Sequence, residues 1–175
     1  MLGESVTIRK INGRVVIKNR PRHKIVADPS DKQILERLKF KEAHLWATEQ
    51  MKKPDVKALY KSKITDKMTS AFNVAMTDYL TSPQVQGIDT NKYKGAVGDA
   101  IVTKGVDDFI ISRIDVVIND ATGKVLEQGS ATQDQDRIFL WAYAATAPNP
   151  VLAGTTISVT AYDRAGNQTL LEKVL

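Results

Sequence analysis

The chain has 175 residues, 42% of them hydrophobic, with no cysteine and a formal net charge of +5, which is length and apolar content enough for one ordinary core or two small ones. The missing cysteines exclude disulfide frameworks, thiolate metal sites and cysteine nucleophiles. Charge is divided unevenly: residues 1–70 carry 17 Lys and Arg against 8 Asp and Glu, and residues 71–175 carry 8 against 12, so the first part suits a polyanion or an acidic protein surface.

The first ten residues, Met1 to Lys10, hold no apolar run of signal-peptide length, and no later stretch approaches the roughly 18 apolar residues of a membrane span. The expected setting is therefore the cytoplasm or a virion, with no membrane partner. In chain order, Ser5–Arg9 and Arg14–Lys18 alternate in polarity around Asn12-Gly13, a pair suited to the type I′ turn, which predicts a short β-hairpin. Its apolar positions are Val6, Ile8, Val15 and Ile17. A two-stranded ribbon is marginal by itself and needs cover, from this chain or from a neighbour.

A basic stretch, residues 19–24, leads to Ser30, which with Gln33 has the form of a capping box. Ile34, Leu35, Leu38, Leu45 and Trp46 follow at helical spacing, predicting a helix over 31–51. Pro54 opens a second, short helix holding Val56, Leu59 and Tyr60. A third is expected over 66–79, burying Phe72, Ala75, Met76 and Tyr79 and ended by Thr81-Ser82-Pro83.

From Val85 the hydrophobic period changes from 3.6 to 2. Strands are predicted at 85–89, 100–104, 113–119, 124–130, 138–144, 155–162 and 168–174, separated by turn segments such as Asp120-Ala-Thr-Gly123 and Asp163-Arg-Ala-Gly-Asn167. Seven short strands of this kind fit an antiparallel immunoglobulin-like β-sandwich. Ile114, Val116, Ile118, Ile157, Val159 and Ala161 should point inward. In 138–144 both faces are apolar, so both are expected to be covered, the Phe139/Trp141/Tyr143 face by the core and the Ile138/Leu140/Ala142 face by the helices or by another protein. The fold class is thus α+β: a basic hairpin arm over 1–27, a helical region over 28–83 and the sandwich over 84–175.

The runs Ser70-Ala-Phe-Asn-Val-Ala-Met-Thr-Asp-Tyr-Leu80, Tyr93-Lys-Gly95, Gly98-Asp99, Asp107-Asp108-Phe109, Leu126-Glu-Gln-Gly-Ser-Ala131 and Tyr162-Asp-Arg-Ala-Gly-Asn167 resemble a set of small, uncharacterised bacterial proteins that pair a helical region with an immunoglobulin-like domain. The opening, Gly13-Arg-Val-Val-Ile-Lys-Asn-Arg-Pro21, is similar to the hairpin opening of other Bacteroidota-type proteins. The resemblance implies this architecture and brings no catalytic or binding residue with it.

Nothing in the sequence has the form of a catalytic site. The two histidines, His23 and His44, accompany no nucleophile motif, and Gly95-Ala-Val-Gly98 leads into a strand, not a helix, as a phosphate-cradling loop would. Asp107, Asp108, Asp115, Asp120 and Asp163 lack calcium-loop spacing; Asp115 is expected to face solvent in mid-strand and the others read as turn formers, so no metal or cofactor is expected. Two surfaces remain. Val6, Ile8, Val15, Ile17, Phe139 and Trp141 are the candidate assembly interface, pairing this chain with other subunits in a homo-oligomer or larger complex. Arg9, Lys10, Arg14, Lys18, Arg20, Arg22 and Lys24 are the candidate polyanion contacts, since phosphate binding needs cations more than exact spacing. The expectation is a non-enzymatic structural protein, with nucleic-acid binding as the alternative.

Overall fold

A computed structural model describes residues 6–11, 13–19 and 28–175. Contacts group the chain into two compact units, residues 1–37 and 38–175.

In the first unit, β1 (Val6–Ile11) pairs antiparallel with β2 (Arg14–Asn19), Ile8 opposite Ile17 and Ile11 opposite Arg14. That register leaves a two-residue loop, with Gly13 at a φ of 79° where a side chain would be strained. Arg20, Arg22, His23 and Lys24 lie outside the described residues.

Helix α1 (Asp31–Met51) starts as its capping box dictates. The Ser30 amide donates to Gln33 Oε1 at 3.1 Å and the Gln33 amide to Ser30 Oγ at 3.4 Å. Pro54 takes the first turn of α2 (Pro54–Lys61). Helix α3 (Ala71–Leu80) begins five residues later than its apolar spacing predicts. The reason is local: Thr65 and Met68 close a turn on each other, and Ser70 Oγ accepts the Asn73 amide at 3.1 Å, which fixes the first helical turn. The helices share a core of Ala43, Ala47, Val56, Tyr60, Val74, Ala75 and Met76 with Phe109, from the segment joining two strands of the sandwich.

The sandwich has eight strands, β3 (Gln84–Asp89), β4 (Ala100–Val106), β5 (Ile111–Asn119), β6 (Val125–Ser130), β7 (Thr132–Gln133), β8 (Leu140–Ala144), β9 (Thr156–Asp163) and β10 (Gln168–Val174). One sheet runs β3-β4-β8-β7 and the other β10-β9-β5-β6, every neighbouring pair antiparallel. First, second, sixth and fifth strand in one sheet, with eighth, seventh, third and fourth in the other, is the immunoglobulin-like order. The chain changes sheets at Ala131, between β6 and β7. As the alternation predicts, Ile114, Val116 and Ile118 of β5 and Ile157, Val159 and Ala161 of β9 are buried, facing Ile88, Ile101, Trp141 and Tyr143 of the other sheet.

Strand 138–144 departs from expectation. It begins at Leu140, because Asp134 accepts the amides of Asp136 and Arg137 and holds the preceding residues in a turn. Its aliphatic face is not covered by the helices: Ile138 and Ala142 are exposed and Leu140 half-buried. The helical core meets the sandwich at Phe109 and Ile110 instead.

Candidate interaction surfaces

The ribbon has two chemically different faces, which follow from its register. Val6, Ile8 and Lys10 of β1 share a face with Val15 and Ile17 of β2, and Ile8 and Ile17 lie directly opposite. The other face carries Thr7, Arg9, Arg14, Val16 and Lys18. All four apolar residues singled out in the sequence are therefore on one side, and Ile8 and Ile17 are 67% and 65% exposed. Of the cations, Arg9, Arg14 and Lys18 occupy the opposite side while Lys10 lies at the rim of the apolar one, and all four are exposed.

Trp141, expected at the interface, is only 6% exposed and belongs to the sandwich core, because the aromatic face of β8 points inward. It is unavailable to a partner. Phe139 remains at the surface, just ahead of the strand, with the Lys104 ammonium 5.5 Å from its ring centroid.

A second surface was not singled out by the sequence patterns. Every residue of α1 from Asp31 to Glu42 is exposed. Its core side comprises Ala43, Ala47 and Gln50, while Ile34, Leu35, Leu38 and Leu45, the conspicuous stripe, face water. The buried side is two alanines and a glutamine, with Trp46 half-buried beside them. Two alanines four residues apart were the available signal. His44 rests edge-on against Phe72, ring centroids 5.2 Å apart, and is packed against that ring.

Where α3 meets the end of β9, the structure buries a polar cluster. Asp78 is 2% exposed; its Oδ2 accepts the Tyr60 hydroxyl at 2.6 Å, and its Oδ1 has no hydrogen-bond partner. Burial pushes Asp78 up to about 6; the Tyr60 hydroxyl opposes this, the carboxylates of Asp163 and Asp107 add to it, and Arg164 opposes it. Burial, and then the bond to Asp78, push the Tyr60 hydroxyl far above its ordinary value. Asp107 is also raised, first by burial. Asn167, in the β9–β10 turn, donates to the backbone oxygens of Asp78, Tyr79 and Thr81 and to Asp163 Oδ2, thereby capping the end of α3. The carboxyl is enclosed by the fold and titrates above the ordinary carboxylate range because of that burial. The sequence signal for it was a carboxylate falling in phase with Val74 and Ala75 on the buried side of α3.

A second buried carboxylate behaves oppositely. Glu127 Oε2 accepts the Tyr143 hydroxyl, the hydroxyl and amide of Thr146 and the Ala147 amide. Burial alone would raise Glu127, but these donors outweigh it and hold the carboxyl below its usual range. Among the described residues no three His, Asp or Glu side chains gather in a metal-holding arrangement, and no helix is long and apolar enough to cross a membrane.

No family model matches the chain, and no curated protein does. Among solved structures, CopC from Methylosinus trichosporium OB3b is similar at 12% identity, over 51% of this chain and 87% of that one, with a TM-score of 0.38.

Proposed function

We propose that the protein is a non-enzymatic assembly component, a subunit of a virion, filament or other complex, whose N-terminal ribbon docks on a partner protein. The observation that carries this reading is the ribbon's apolar face: four branched aliphatic side chains in one register, exposed on a two-stranded element that has too little surface of its own to offset the entropy of ordering it. Edge strand β10, with Leu170 and Val174 exposed, offers a second place for strand pairing.

Sedimentation velocity on the full chain tests it. A species heavier than one chain, reduced in mass by Ile8→Glu with Ile17→Glu, is the expected outcome. A single chain at every concentration, with or without these changes, refutes it.

The opposite face of the ribbon favours a second reading, binding of nucleic acid, because Arg9, Arg14 and Lys18 lie together on it. Contacts of this kind read phosphate and not sequence, so duplex DNA of any sequence should be retained at low salt and released as salt rises. Retention that survives at high salt, or none at low salt, rejects it.

A further inference from the structure

We propose that α1 pairs in parallel with α1 of further copies of this chain, through the stripe Ile34, Leu38, Lys41 and Leu45. This rests on the assembly reading and names the partner.

The first argument is stability. A run of a dozen helical residues, Asp31 to Glu42, exposed on every side, is at the lower limit of what persists in water, since most helical stability comes from packing an apolar face. This run has such a face and leaves it in solvent: Ile34 is 42% and Leu38 51% exposed, and Leu45, just beyond it, 58%.

The second argument is direction. At about 100° per residue, Ile34, Leu38 and Leu45 fall within an arc of about 40°, and that arc lies about 170° from the centre of the Ala43, Ala47 and Gln50 side. The helix can therefore take a partner on its back without disturbing its own core. The spacing of Ile34, Leu38 and Leu45, four then seven, is that of a coiled-coil seam, with Leu38 and Leu45 at a positions and Ile34 and Lys41 at d positions.

The third argument is charge, and it selects the partner. In that frame Arg37 occupies a g position, and Glu42 occupies the e position that a g residue meets five residues on in a parallel neighbour. Arg37 of each copy thus faces Glu42 of the next. An antiparallel arrangement would set g beside g and e beside e, bringing Arg37 near His44 and Glu42 near Leu35, with no pair of opposite charge. The flanking charges are complementary to those of a parallel copy, while Lys41, which meets Lys41 of the partner copy at the seam, opposes the pairing. Phe40 and the Ala43 side face elsewhere and take no part.

The absence of cysteine from the chain makes the test clean, because Leu38→Cys introduces a lone thiol. Air oxidation of full-length L38C should give a disulfide-linked dimer on a non-reducing gel, whereas F40C, on another side of the helix, should not. Leu38→Glu with Leu45→Glu should lower the sedimenting mass; both positions are exposed, so far-UV circular dichroism should show an unchanged fold. Lys41→Leu removes a charge from the seam and should lower the dissociation constant about tenfold or more. If the native chain assembles, yet L38C stays uncrosslinked and the double Glu variant keeps its mass, the helix pairing is overturned while the assembly reading stands. If the native chain sediments as a single copy, both fall.

Discussion

Replacing Asp78 with Asn probes the buried cluster at the end of α3 by its dependence on pH. In the native state the carboxyl titrates at about 6, raised from 3.8, a difference equivalent to about 3 kcal/mol between its two protonation states. Between those values the folded protein keeps a proton that the unfolded chain has released, so stability is fully present at low pH and declines as pH rises through this range. The decline amounts to about 2 kcal/mol between about pH 4.5 and pH 7.5. Asn preserves the acceptor for Tyr60 and cannot ionise. Its amide nitrogen would fall where Oδ1 has no partner, at a cost of about 1–3 kcal/mol, and that cost is the same at both pH values. Urea denaturation of both proteins at the two pH values isolates the titration: the wild type should lose about 2 kcal/mol more than D78N on going to the higher pH. Asp107, also raised, is common to both proteins and cancels. Parallel pH profiles for the two would refute the reasoning, since they would mean that Asp78 is ionised in the fold at no cost.

Two other changes test neighbouring parts of the fold. Asn167→Ala removes one donor group serving three backbone oxygens at the end of α3 and the Asp163 carboxylate, and should cost about 1–3 kcal/mol in a urea titration; a loss near zero would show that the turn does not hold the helix. Glu127→Gln should destabilise by a similar amount at neutral pH, because four donors converge on one carboxylate oxygen. As Glu127 is held below its usual range, its stabilisation is present above the unfolded value and is lost as pH falls, so the gap between variant and wild type should close in acid; a gap that widens there contradicts the assignment.

Much of the fold is legible in the sequence where one local rule acts without competition. Strand β10 has the predicted limits, and α1 starts at Asp31 because Ser30 and Gln33 satisfy each other's orphan groups. The inward faces of β5 and β9 follow from strict alternation. What misleads is apolarity that the fold does not use for its core. Leu38 and Leu45 outweigh Ala43 and Ala47 on any hydropathy scale, yet it is the alanines that the helical core buries. Ile138 and Ala142 alternate as a buried face would and lie in solvent, because the helices instead meet Phe109 and Ile110, in a segment with no periodic signal of its own. The ribbon's faces could be drawn once Asn12-Gly13 set its register, whereas Asp78 becomes intelligible only when Tyr60, Asp163 and Asn167, far apart in the chain, are brought around it.

The hold of Asn167 on the end of α3 also has a consequence for biosynthesis. The side chain that closes this helix is 86 to 89 residues downstream of the carbonyls it binds. During translation the three helices are complete while most of the sandwich is still to be made, and the last turn of α3 has no partner until the β9–β10 hairpin follows. At typical rates of about 5–20 residues per second that interval lasts on the order of 4–18 seconds. For that time Asp78 lies at an unsealed helix end, within reach of water, and its carboxyl is shifted upward toward about 6 only once the final hairpin encloses it.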